Sequence, residues 1–158
     1  MSGGLAKAEL EFATSVTSPL FWKIKHGSNN YQVRNGSAFF LDTGTAVFGV
    51  TANHVFDEWR KDVAKFELVD FDLGRGISFD ISGKNRIIAS HDKIDIATFH
   101  ISKEEITELG KTPLTGSQKS WPPKSPERDR GVYHSGFACI ETLASPDEIS
   151  FGIVAGGG

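Results

Sequence analysis

The chain has 158 residues, a formal net charge of −3 and 39% hydrophobic residues, the size and apolar content of one folded domain or slightly more, which excludes a largely disordered polypeptide. With 17 basic against 20 acidic residues and no Lys/Arg-rich run, there is no positive surplus to neutralise phosphates, so nucleic acid is not an expected partner. The single cysteine, Cys139, excludes an internal disulfide framework and every four-cysteine zinc site.

From Met1 to Leu20, small and charged residues interrupt each apolar run before it reaches the length of a signal-peptide core. No stretch is long and apolar enough for a transmembrane helix, and a cytoplasmic, reducing location is the expectation for a chain with one thiol. Beyond this segment the apolar residues fall in short runs rich in Phe, Val, Ile and Thr, the spacing of strands. Strands are predicted at Leu20 to His26, Tyr31 to Arg34, Ser37 to Leu41, Ala46 to Ala52, Ala64 to Phe71, Ile77 to Ile81, Arg86 to His91 and Ile94 to Ile101. Gly27-Ser28-Asn29-Asn30, Asp42-Thr43-Gly44 and Ser82-Gly83-Lys84-Asn85 supply turns between them. Helix is predicted only in patches: a short turn within Val55 to Ala64, and one opened by Ser102, whose Glu105 partner completes a capping box. Thr112 to Arg130 is polar and contains Trp121-Pro122-Pro123-Lys124-Ser125-Pro126, which reads as a linker. Two further strands, Val132 to Cys139 and Ile149 to Val154, follow it. The expected organisation is an all-β chain, with a small antiparallel barrel or sandwich over residues 1–111, a linker over 112–130, and the start of a second unit over 131–158.

Two local patterns carry chemistry. Gly36-Ser37-Ala38-Phe39-Phe40-Leu41, a turn, then Val47-Phe48-Gly49-Val50-Thr51-Ala52-Asn53-His54-Val55 describe a hairpin with a histidine where its second strand ends. His91-Asp92-Lys93-Ile94-Asp95-Ile96-Ala97 places an acid at the start of an apolar strand. A histidine that takes a proton needs a neighbour to fix its tautomer and stabilise the imidazolium, and a carboxylate does both.

These motifs resemble the histidine and aspartate motifs of trypsin-like serine proteases, the chymotrypsin fold. His54 and Asp95 lie 41 residues apart, close to the roughly 45 of the Ser-His-Asp template. The resemblance implies a trypsin-like antiparallel β-barrel followed by opening strands of an incomplete second barrel, with His54 as general base and Asp95 as its orienting carboxylate. It implies peptide-bond hydrolysis by acyl transfer on peptide or protein substrates, with the nucleophilic serine expected beyond Gly158, since no Gly-x-Ser-Gly occurs in this chain. The chain alone is then expected to be inactive, and an uncovered barrel face is expected to favour self-association. Asp92 is the competing carboxylate, set aside because it sits in a polar turn without the following Ile-Ala pair. The alternative function is a non-catalytic trypsin-fold module that binds peptides or other proteins. Asn53 departs from the family, which has a small residue there, and Val55 replaces the cysteine usual in animal members.

Other residues read more plainly. Ser135, beside His134, lacks the glycine two positions earlier that a nucleophile motif carries, and Cys139 lies in a strand interior, where cysteine is an inert small hydrophobe. His26, His91, His100 and His134 show no ligand spacing, so neither a metal nor a cofactor is expected. Asn35-Gly36-Ser37 is read as a tight turn rather than a glycosylation acceptor, and Gly156-Gly157-Gly158 is not a phosphate loop.

Overall fold

Leu20, Trp22 and Ile24 are spaced two apart, the period that aligns side chains on one face of a strand. In the computed structural model, which describes residues 3–26, 30–79, 86–116, 133–144 and 149–157, all three are buried on β1 (Thr17–His26). The helix α1 (Gly3–Val16) precedes this strand. β1 pairs antiparallel with the long strand β2 (Asn30–Asp42), which sends Ala38 and Phe40 to the same core. β3 (Val47–Thr51) returns along β2, and α2 (Asn53–Val63) starts almost at once. Next come β4 (Leu68–Asp72), β5 (Ile87–His91), β6 (Ile96–His100), the short helix α3 (Lys103–Glu108) and β7 (Leu114–Thr115). β8 (Tyr133–Ala144) and β9 (Ile149–Gly157) form a hairpin of their own.

The first seven strands make one sheet in the order β4-β1-β2-β3-β6-β5, with β7 parallel to the far end of β2. Pairing with β1 ends at Phe39, so β7 takes up the ladder at Leu41 and Asp42. The core lies beneath α2, where Phe56, Phe71, Phe79 and Phe99 pack ring against ring. Phe79 and Phe99 meet edge to face at 4.9 Å between centroids, a geometry worth about 0.5–1.5 kcal/mol beyond simple burial. At its rim Trp22 donates from Nε1 to the buried Asp62 of α2 at 2.9 Å, tying helix to sheet. The β8–β9 hairpin docks on the sheet through Asn35 Nδ2, which donates to the Phe137 carbonyl at 3.0 Å, and Ser37 Oγ, which accepts from the Phe137 N–H at 2.7 Å.

The all-β, trypsin-like barrel is therefore corrected. The fold is mixed α/β with an open seven-stranded sheet: among the described residues β4 pairs only with β1 and β5 only with β6, so the edges do not meet. The predicted strands Tyr31 to Arg34 and Ser37 to Leu41 are one continuous strand, since Gly36 is in register opposite Leu20 rather than in a turn. Ala64 to Phe71 is strand only from Leu68, because the C-cap of α2 at Ala64 and the turn after it occupy its front half. Around Ile77 a single bridge, Asp72 to Ser78, replaces the predicted strand, whose last residues lie outside the described ones. Of the predicted linker, residues 117–130 lie outside the described residues, whereas Leu114 and Thr115 join the sheet as β7.

Candidate functional site: a histidine and aspartate at the start of α2

β3 and β6 are antiparallel neighbours whose register runs to Thr51 opposite Ala97. The chain leaving β3 and the chain entering β6 thus emerge side by side at one end of the sheet. α2 begins there, and its N-cap residue, Ala52, has no side chain to satisfy the free N–H groups of the first turn. Asp95 supplies what Ala52 lacks: its Oδ1 accepts the His54 N–H at 2.8 Å and its carbonyl accepts the Asn53 N–H at 3.2 Å. Its Oδ2 lies 2.6 Å from His54 Nδ1. One carboxylate therefore grips both the backbone and the ring of the same histidine. Asp95 takes this position with φ of 50°, in the left-handed region that Asp and Asn tolerate better than most residues. The ring contact with His54, then the bond from its backbone N–H, hold the Asp95 carboxyl below its ordinary value. The positive end of the α2 dipole acts in the same direction.

Asn53 fastens the two segments together. It is buried, and its Nδ2 donates to Asp57 Oδ2 one turn along α2 and to Asp92 Oδ1 in the turn before β6, both at 2.9 Å. Its own Oδ1 is buried without a partner among the described residues. The two candidate acids of the 92–95 turn are thereby separated in role: Asp92 engages Asn53, and Asp95 engages His54. The next residue, Val55, packs its methyl groups directly over the Cα of Gly36, so α2 rests on β2 where β2 has no side chain. Asn53 and Gly36 were not legible as site residues in the sequence. The signal for Asn53 is its four-residue spacing from Asp57, which puts both on one helix face.

The other residues singled out in the sequence do not join this pair. Ser135 is opposite Ala155 in the hairpin, and no hydrogen bond links it to His54 or Asp95. Cys139 lies within β8. His91 Nδ1 accepts the Ile94 N–H at 3.4 Å, and His100 is exposed at the end of β6. His26 and His134 have side chains outside the described residues. No cluster of three or more His, Cys, Asp or Glu side chains suited to a metal ion occurs among the described residues.

The chain matches no family model, no curated protein and no solved structure. The likeness to trypsin-like serine proteases is confined to local motifs and does not extend to the architecture. A chymotrypsin-type site is built on β-barrels, and this sheet is open and carries helices. The serine-endopeptidase assignment, its acyl-transfer mechanism and the trypsin-fold interaction module are all corrected on that ground, since local resemblance without the fold that frames it does not carry function.

Proposed function

We propose that His54 and Asp95 form a general acid–base pair, a proton-transfer centre acting on a water molecule or on a ligand hydroxyl brought to the exposed imidazole. The observation that supports this is the two-point grip of one carboxylate on His54, at 2.8 Å to the backbone N–H and 2.6 Å to Nδ1. Asp95 favours a proton on Nδ1, which leaves Nε2 as the basic nitrogen. When Nε2 accepts a proton, the imidazolium charge forms beside a carboxylate that is already ionised and already in place, so little reorganisation accompanies the transfer. The His54 side chain is 67% exposed, which gives a ligand access from solvent.

A second reading has an observation of its own, because Asp95 also caps α2. In that reading the pair is a latch between the 92–95 turn and the helix, and the ring is incidental. Asp95→Asn separates the two. Asparagine tolerates the same backbone region and is as good a helix cap as aspartate, so the latch survives. Its amide, however, donates toward Nδ1 and drives the ring into the opposite tautomer, with the proton on Nε2. The expected results are an Nδ1-protonated neutral His54 by nitrogen-15 NMR, inverted in Asp95→Asn. Proton abstraction from a nitrobenzisoxazole probe should fall by about tenfold or more in Asp95→Asn and vanish in His54→Ala. Unchanged abstraction in His54→Ala removes the acid–base reading, and an unchanged tautomer in Asp95→Asn leaves the latch alone.

A further inference from the structure

The molecule has a cleft of about 200 Å³ between the start of β1, the turn after β4, the chain leaving α3, and β9. Its walls are apolar: Phe21 and Phe151 meet with centroids 4.8 Å apart, and Leu73 and Leu109 line the cleft with them. Two cations, Arg75 and Lys111, line the same space. Neither forms an ion pair among the described residues, although most other basic side chains of α2 and its surroundings do.

An ordinary explanation would make these cations caps for the free carbonyls at the end of α3. The backbone already does that. Gly110, at φ of 67°, donates its N–H to the Thr107 carbonyl at 2.9 Å, and Lys111 donates its N–H to Ile106 at 3.1 Å, which completes a Schellman closure. Gly110 also leaves room for the Arg75 guanidinium, which lies against it where any side chain would collide. Lys111 spends one Nζ donor on the Thr14 carbonyl at 2.7 Å and has two left. Burial, and secondarily the nearby Arg75, push the Lys111 ammonium below its usual range, which is the direction a second cation without a counter-anion produces.

We propose that this cleft binds a small monocarboxylate with a compact aromatic body, its ring packed against the contacting pair of Phe21 and Phe151 and its carboxylate between Arg75 and Lys111. The volume suits one ring and a short acid arm, since a dry cavity of about 150 Å³ accepts benzene. The two oxygens of one carboxylate match the two cations, one for the Arg75 guanidinium and one for the free Lys111 ammonium donors. The site stands apart from the His54–Asp95 pair and does not rest on its function.

The test is titration of the full 158-residue chain with 3-phenylpropionate, followed by amide NMR, alongside the neutral 3-phenylpropanamide and the dianionic phenyl phosphate. Saturable binding is expected at concentrations up to ~10 mM, with shifts at Leu109, Lys111 and Phe151. The amide should bind about tenfold more weakly or worse, and Arg75→Gln and Lys111→Gln should each weaken the acid by about tenfold. Glutamine at 111 keeps a donor for Thr14 and removes only the charge, and position 75 is exposed, so both variants retain the fold. Absence of saturable binding, equal binding of acid and amide, or unchanged affinity in both variants overturns the proposal. Tighter binding of phenyl phosphate than of the carboxylate overturns the assignment of ligand class.

Discussion

At the scale of single residues, the site turns on how one carboxylate is held. Its contacts with the His54 ring and backbone lower the Asp95 carboxyl from the ordinary value of 3.8. A group with a depressed folded-state value adds stability that is present above the unfolded value and is lost as the pH falls through the folded one. The Asp95 side-chain carboxyl carbon resonance should therefore make its main movement on acidification below 3.8, and Asp95→Asn should abolish that movement while leaving α2 folded. A movement centred above that value would contradict the geometry. Asn53 is the second such residue. Its Nδ2 joins two carboxylates, so Asn53→Asp places a third acid, buried, between Asp57 and Asp92. The expected cost is at least ~2 kcal/mol at neutral pH. It should shrink as the pH falls toward the carboxylate range, because like charges and burial raise the value of the new acid. Urea unfolding at two pH values reads both parts. His54 and Asp95 were legible from their flanks, since each stands where an apolar strand meets a polar turn. Asn53 was not, because nothing local in the sequence says that the turn carrying Asp92 lies against it.

At the scale of elements, legibility followed how far a signal reaches. The capping box of α3 is entirely local: Ser102 Oγ accepts the Glu105 N–H at 3.1 Å, and Glu105 Oε2 accepts the Ser102 N–H at 2.8 Å, as the four-residue motif predicts. Ser102→Ala should cost about 1 kcal/mol in thermal denaturation. α2 was seen only as a short turn because its buried face is narrow and partly polar: Val55, Phe56 and Asp62 are buried, and Trp59 packs against them. Helical spacing that ends on a buried acid gives only a weak apolar period. α1 was missed for the opposite reason. Among its described side chains only Ala13 and Val16 are buried hydrophobics, and Leu10 and Phe12 are exposed, so it has propensity from Ala, Leu, Glu and Lys but little periodic face among those residues. Gly36 misled in a different way, since a glycine between two apolar runs reads as a turn. Its actual role is to admit Val55, one residue after His54, onto the surface of β2. Gly36→Ala puts a methyl group into the Val55 side chain and should destabilise by about 1–3 kcal/mol. It should also shift the His54 ring resonances, whereas a purely conformational effect of the extra methyl would leave them in place.

At the scale of the whole molecule, the pairing of β3 with β6 decides where the site forms. β4 and β5 lie between them in sequence yet pair elsewhere, at the two edges of the sheet. A strand pattern gives the number and the approximate places of strands, but not which of them become neighbours, and the same histidine and aspartate can be brought together at the end of an open sheet or within a barrel. The motif was therefore readable, and the architecture around it was not. The hairpin of β8 and β9 raises the same issue for cooperativity. Two strands alone are marginal in water, so the protection of this hairpin depends on its seat over β1 and β2. Phe151 is the apolar part of that seat: it lies 4.8 Å from Phe21 and 6.2 Å from Phe137 between ring centroids, while Asn35 and Ser37 supply the polar part. Phe151→Ala leaves both hydrogen bonds in place and removes about 1–3 kcal/mol of burial. Each 1.4 kcal/mol is about tenfold in an opening equilibrium. Hydrogen exchange of the β8 and β9 amides should thus accelerate by about tenfold to a hundredfold, with the β2 and β3 amides around Phe40 and Val50 unchanged, if the hairpin opens as its own unit. Equal acceleration in both sets would instead mean that the hairpin and the open sheet unfold together, and that the aromatic seat contributes to the stability of the His54–Asp95 end as much as to its own.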